Sequence, residues 1–268
     1  VNTGKSIQEQ VIISLTSFPE AIPFAVQAIK SVLNGSVLPD KVVLYLTASQ
    51  FPEGKLPSAL TELTQNNLFE VRFYAENIRS YTKLIPALKD FPDHIIVTID
   101  DDILYNKNML RGLLRLHKKY PEAILGHRVR HYKPNAPYRS WKRYKEHRYL
   151  LKSLRPRFSN IQTGVGGVLY PPDSLDQNML DSRIFMEMAP TVDDIWFWAA
   201  AVAKGTKIAP VPFGDYKLND LRKPKEISLF NVNGNVAKDV NRIVLEKILE
   251  EYPEINNKLI GDINRVKD

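Results

Sequence analysis

Cysteine is absent from this sequence. That excludes a disulfide framework and thiolate metal sites, and it fits a reducing compartment. Long apolar runs are missing as well; none approaches the roughly 20 residues of a membrane-spanning helix. The opening stretch, Val1 to Gln10, is polar and lacks the shape of a signal peptide. It begins on Val1 rather than Met, as a trimmed or processed start would. These absences lead us to expect a cytoplasmic protein. Histidines are few and scattered: His94, His117, His127, His131 and His147. His127 and His131 stand four apart, but Pro134 and the neighbouring charges argue against a helical H-x-x-x-H metal site. Internal repeats and low-complexity tracts are not found.

What is present suits a globular chain large enough to bury a sizeable core, as one large domain or two small ones. The formal net charge of +7 is unevenly placed. Between His127 and Phe158 stand Arg128, Arg130, Lys133, Arg139, Lys142, Arg143, Lys145, Arg148, Lys152, Arg155 and Arg157, against one acid, Glu146. The rest of the chain is therefore mildly acidic. A local basic patch on such a body points to a specific anionic partner. Tyr132, Tyr138, Trp141, Tyr144 and Tyr149 are interleaved with these charges.

Hydrophobic patterning predicts strands over Val11 to Leu15, Lys41 to Thr47, Phe69 to Tyr74, Ile95 to Ile99, Ala123 to Gly126 and Ile208 to Val211. It predicts helices over Phe24 to Leu33, Pro57 to Leu68, Tyr81 to Lys89, Lys107 to Tyr120, Asp193 to Ala203 and Val236 to Tyr252. Strand and helix in repeated order argue for an α/β fold with a mostly parallel central sheet. We expect a single domain over 1–268, with a nucleotide-binding half at about 11–126 and an irregular acceptor-side half at about 127–268. Ligands of such sheets bind beyond the carboxyl ends of the strands. Thr16 and Ser17, the loop from Asn77 to Lys83, and Asp100 to Asp102 all lie at such ends, so one crevice is expected to collect them.

The strand Ile95 to Ile99 runs directly into Asp100, Asp101 and Asp102. Three adjacent carboxylates repel one another, and each raises the cost of ionising the others. Either water solvates them in an acidic turn, or a hard cation such as Mg²⁺ or Mn²⁺ offsets the repulsion together with substrate phosphates.

Five segments, in this order and spacing, resemble the family 2-type glycosyltransferases with the GT-A (Rossmann-like) fold. They are V-I-I-S-L-T-S-F-P from Val11, I-R-S-Y-T-K-L-I-P-A-L from Ile78, I-V-T-I-D-D-D-I-L-Y from Ile96, T-G-V-G-G-V-L-Y from Thr163 and V-D-D-I-W-F-W from Val192. The resemblance covers roughly Val11 to Ala203. It implies hexosyl transfer from a nucleotide-sugar donor, a UDP-sugar in the first place, to a glycan or lipid-linked acceptor, as in bacterial surface polysaccharide synthesis. It further implies Mn²⁺ or Mg²⁺ as cofactor. Asp100 and Asp102 would be the outer acids of a D-x-D-type motif, Asp102 on the metal and Asp100 on the metal or ribose, with Asp101 beside them on the donor side. In inverting members the second acid of a pair like Asp193-Asp194 is the general base, which makes Asp194 the catalytic residue and Asp193 its support. A haloacid dehalogenase-type phosphatase also has D-x-D after a strand. It would want that strand near the N-terminus and a small polar residue where Leu104 stands.

The same resemblance places Thr16 and Ser17 at the start of the nucleotide pocket, although helix capping by Ser17 is an equal alternative. Asn77, Arg79 and Lys83 would meet donor phosphates or the base edge, against the alternative of a solvated basic face. Gly166 and Gly167, with Gly164, form a bend that would flank the donor sugar; it matches neither G-x-G-x-x-G nor a P-loop, and a plain β-bulge explains it as well. Thr191 to Asp194 also reads as a capping box. Of Trp196 and Trp198, one is expected in the core and the other stacked on a sugar. Asn231, Asn233 and Asn235 are placed to complete the donor site. The basic segment fits an anionic membrane surface, which would make the protein peripheral on the inner face, or an acidic acceptor glycan. A nucleic-acid-binding module is the competing reading, but it leaves both acidic clusters unexplained.

Overall fold

One seven-stranded sheet takes strands from both halves of the chain, in the order β10-β6-β9-β4-β1-β2-β3. The computed structural model describes residues 9–141, 143, 154–212, 219–221 and 239–264. The strands of this sheet are β1 (Val11–Ser17), β2 (Lys41–Thr47), β3 (Phe69–Tyr74), β4 (Ile95–Thr98), β6 (Ile124–Gly126), β9 (Val168–Tyr170) and β10 (Ile208–Pro210). All run parallel except β9, which is antiparallel to both β4 and β6. Two short ladders stand beside it: β5 (Ile103–Leu104) with β11 (Asn219–Asp220), and β7 (Val129–His131) with β8 (Asn160–Gln162). The fold is thus α/β with a mostly parallel central sheet, as expected.

Apolar side chains leave the central strands toward both faces, because successive residues of a strand point to opposite sides. Val11, Ile13 and Leu15 of β1 pack with α1 (Ile22–Leu33), α2 (Ser58–Leu63) and α4 (Met109–His117). Ile12 joins the opposite layer, with Val43, Tyr45 and Ile96. That layer holds α3 (Ile85–Asp90), α5 (Ser182–Met188), α6 (Asp193–Lys204), α7 (Val240–Glu251) and α8 (Pro253–Asn264). Helix α6 is apolar almost all round from Ile195 to Val202 and is buried throughout that run, as expected of a helix surrounded by other elements. Gly205, with φ of 97°, ends it, and the Gly205 and Thr206 amides bond back to Ala201 and Val202.

Several sequence expectations are corrected. The predicted helix to Leu68 stops at Leu63, because an Asx turn intervenes: Asn66 Oδ1 accepts from the Leu68 amide at 2.9 Å. The stretch from Tyr81 to Lys89 divides into a 3-10 turn over Arg79–Lys83 and then α3. Pro86 lacks an N–H and sits in the first turn of a helix rather than its interior, so α3 begins at Ile85. Among the described residues the C-terminal region carries two helices, with Pro253 opening the second. Both Trp196 and Trp198 are core residues with no exposed surface, and their indole N–H groups donate to the Met179 carbonyl at 2.7 Å and the Phe158 carbonyl at 2.8 Å. Neither stacks on a ligand at the surface; truncating either to alanine should cost about 3–5 kcal/mol. No helix among the described residues is long and apolar enough to cross a membrane.

Candidate active site

The three acids leave the carboxyl end of β4, and the sheet brings the glycine-rich bend to them. Register pairs Thr98 with Val168 in antiparallel strands. The residues after Thr98 and those before Val168 therefore share one edge of the sheet. The bend closes as a turn from Gly164 to Gly167, whose amide donates to the Gly164 carbonyl at 3.1 Å. Gly166 has φ of 100°, which a type II turn requires at its third position. Behind the acids, Tyr105 folds back and its hydroxyl accepts from the Asp100 amide at 2.8 Å. The Tyr105 amide is held in turn by Ser31 Oγ at 2.9 Å. The Leu221 amide donates to the Asp102 carbonyl at 2.7 Å, extending the β5–β11 ladder across the loop.

Lys83 is the centre of the cluster. Its ammonium lies 3.0 Å from Asp100 Oδ1 and 2.9 Å from Asp193 Oδ2, with its side chain only 8% exposed. The 3-10 turn that carries it is fastened on two sides. Ser14 Oγ donates to the Lys83 carbonyl at 2.6 Å. The Tyr81 ring stacks on Phe185 and its hydroxyl donates to the Ala189 carbonyl at 2.7 Å. Burial by itself would depress the Lys83 pKa, but attraction to Asp100, Asp193 and Asp194 outweighs it and holds the group well above the usual lysine value. Lys83 thus stays charged and joins the acids of β4 to those of α6.

Asp193 and Asp194 open α6, where the helix dipole favours negative charge. The capping-box alternative does not describe them: Val192 is the cap residue and no side chain caps the helix. Asp194 Oδ1 accepts the Gly164 amide at 2.9 Å, and among the described residues no other hydrogen bond is made to its carboxylate. Its pKa is pushed up to about 7, first by burial, then by Asp193, with Asp100 adding; Lys83 and the Gly164 amide oppose the rise. Gly164 also faces the donor-side acids. A Cβ there would meet Lys83 Nζ at 2.9 Å and Asp100 Oδ1 at 3.0 Å. Any larger residue would push the ion pair apart.

The remaining sequence candidates distribute unevenly. Ser17 does not cap a helix; its hydroxyl donates to Asp101 Oδ2 at 2.6 Å, tying the end of β1 to the acidic loop. Thr16 Oγ1 donates to the Tyr45 carbonyl at 2.8 Å and is directed to β2 instead. Asn77 and Arg79 are exposed; Asn77 Oδ1 accepts the Arg79 amide at 3.3 Å, and Arg79 takes φ of 55°. Gly167 packs against Met109, whose Sδ lies 3.0 Å from where a Cβ would be. Of the three glycines, Gly164 is therefore the one shown against the acids. Asn231, Asn233 and Asn235 lie outside the described residues, as do Lys142, Lys145, Arg148 and Lys152 of the basic segment. Sequence reasoning passed over Tyr105, although an aromatic three residues after an acid loop is a usable signal. It also missed the Lys83 bridge, which no local pattern announces.

Among the described residues no three His, Cys, Asp or Glu side chains gather into a metal cage. Mg²⁺ and Mn²⁺ are commonly held by one or two carboxylates, with phosphates and water in the other positions. Asp100 and Asp102 fit that mode, in which a cation binds together with a diphosphate.

No family model matches the sequence, and no curated protein matches it. Solved structures similar to it include the mannosyltransferase PcManGT from Pyrobaculum calidifontis, in complex with GDP-Man and Mn²⁺, with a TM-score of 0.49 and 15% identity over 77% of this chain and 56% of that one. S. aureus TarS, residues 1–349, aligns with a TM-score of 0.48 and 12% identity over 77% of this chain and 58% of that one. The chain thus spans somewhat over half the length of these proteins.

Proposed function

We propose that the protein is a metal-dependent, inverting glycosyltransferase that moves a hexosyl group from a nucleoside-diphosphate sugar to an acceptor hydroxyl. The observation that carries this reading is Asp194. It is a carboxylate aimed by the Gly164 amide, has no further hydrogen-bond partner among the described residues, and has its pKa raised to about 7. A base poised near neutral pH suits removal of a hydroxyl proton. Asp100, paired with Lys83, and Asp102 would hold Mn²⁺ or Mg²⁺. When bound, such a cation supplies charge stabilisation for the departing diphosphate.

In this mechanism Asp194 takes the proton of the acceptor hydroxyl as its oxygen bonds to the anomeric carbon. The bond from that carbon to the β-phosphate oxygen breaks on the opposite face. The nucleoside diphosphate departs with the electron pair, and the configuration inverts. Lys83 pairs with both Asp193 and Asp100 and fixes their positions. Ser17 holds Asp101, which fixes the acidic loop. Gly164 permits this close approach by having no side chain.

The test is a screen of UDP-, GDP- and other nucleotide sugars, with Mn²⁺ or Mg²⁺ and with chelator. Release of nucleoside diphosphate that requires the metal, and that disappears in Asp194→Asn and Asp102→Asn proteins of native fold, is expected. Turnover of no donor under any metal condition, or full activity in Asp194→Asn, would refute the assignment.

A further inference from the structure

We propose that the acceptor is an anionic glycan, bearing phosphate or carboxylate groups, and that Arg128 and Arg130 recognise those groups beside Asp194. This rests on the transferase reading above and names the substrate class for its acceptor side. The two arginines flank Val129, at the start of the β7–β8 ladder. The Arg130 guanidinium lies over the Tyr138 ring, 4.6 Å from its centre, and Nη1 donates to the Trp141 carbonyl at 3.1 Å. Among the described residues, the Nε atoms of Arg128 and Arg130 are buried without hydrogen-bond partners, and neither side chain makes an ion pair. Arg143 bridges to Arg130 through the backbone and brings a third guanidinium to the same place. Burial depresses the Arg130 pKa; the Tyr138 hydroxyl, hydrogen-bonded to it, opposes the fall, and repulsion from Arg128 and Arg143 adds to it. Half-buried guanidinium groups with no carboxylate partner among the described residues favour an anionic ligand. Planar guanidinium forks match the geometry of phosphate and carboxylate.

Backbone contacts link the strand that carries the arginines to Asp194. The Thr163 amide donates to the Arg128 carbonyl at 3.0 Å, and the next amide, Gly164, donates to Asp194 Oδ1. Gln162, opposite Val129 in the ladder, reaches the Asp194 carbonyl at 3.5 Å. Tyr138, which carries Arg130, feels the charges of both Asp194 and Arg128. Lys83 and Asp100 lie against the Gly164 Cα instead. The Arg130 guanidinium is also half-buried and stacked on Tyr138 within the fold. That favours a ligand entering the site over a flat anionic bilayer.

Calorimetric titration tests this with hexagalacturonate and neutral maltohexaose, and with glucose 6-phosphate and glucose. Wild type should bind the charged probe of each pair at least about tenfold more tightly. Arg128→Gln, and Arg128→Gln with Arg130→Lys, should each remove about tenfold of that preference. Circular dichroism verifies the fold, and Lys207→Gln, a surface lysine over Phe158, serves as the charge-matched control that keeps the preference. Equal affinity for charged and neutral probes in wild type, or an unchanged preference in folded variants, overturns the proposal. Flotation with phosphatidylcholine vesicles, with and without phosphatidylglycerol, supplies the membrane arm: variants that lose only vesicle binding overturn it too. Nucleotide-sugar turnover by wild type is read separately. Turnover without anion preference removes this inference alone, whereas anion preference without turnover of any donor removes the acceptor role and the transferase reading together.

Discussion

Replacing Asp194 with asparagine should stabilise the folded protein at neutral pH while abolishing transfer. In the fold its pKa is about 7, against an ordinary value of 3.8. Between those values the folded chain holds a proton that the unfolded chain has lost. Below about pH 4 both are protonated, and the site costs nothing. Stability falls as pH rises through the window, and the full cost stands above about pH 7. A rise from 3.8 to about 7, at about 1.4 kcal/mol per unit, makes that cost about 4 kcal/mol as a ceiling. Asparagine keeps an oxygen for the Gly164 amide, 2.9 Å away in the wild type, and removes the buried charge. At roughly 2 °C per kcal/mol for a chain of this size, Tm should rise by several degrees at pH 8 and by nothing at pH 4. Differential scanning calorimetry from pH 4 to 9, without metal or donor, measures the difference. A Tm gap independent of pH, or a variant less stable than wild type at pH 8, would refute the buried-charge argument. The wild-type turnover rate should in parallel climb as pH passes through about 7, because the base must be ionised to accept the proton.

Lys83→Gln leaves Asp100 and Asp193 facing one another without their cation; a loss of about 3–5 kcal/mol is expected in urea unfolding. Because the Lys83 charge lowers the Asp194 pKa, the same variant should shift the rising limb of the pH–rate profile upward. Gly164→Ala brings a methyl group within 2.9 Å of Lys83 Nζ; the displaced ion pair should cost about a hundredfold in kcat at an unchanged circular dichroism spectrum. Ser17→Ala takes the 2.6 Å hydroxyl donor from Asp101; it should lower stability by about 1–3 kcal/mol, measured by thermal melting.

Local chemistry determined much of this fold. The runs Lys41 to Thr47 and Phe69 to Tyr74 form strands over those residues, because β-branched and aromatic side chains suit a sheet; β2 is covered on both faces, and β3 at the sheet edge is half-buried. The apolar run after Asp193-Asp194 forms a buried helix for a similarly local reason. Helix ends were harder to read. An Asx turn at Asn66 and a proline at position 86 outweigh hydrophobic periodicity there, and the two chemistries compete over only a few residues. Asp100 to Asp102 were conspicuous in the sequence, since three adjacent carboxylates are costly wherever they stand.

Their partners were settled only by tertiary structure. Parallel pairing of β1 with β4 sets Ser14 beside Thr98, and Ser14 then fixes the Lys83 backbone. The reversal of β9 against β4 turns the glycine bend toward the acids. Packing of α6 sets Asp193 against Lys83 and Asp194 against the Gly164 amide. The sequence by itself determined the strands, the buried helix and the acidic runs, because these follow from side-chain type and period. The Lys83 bridge and the orientation of Asp194 were decided by strand order and register, which act between residues far apart in the chain.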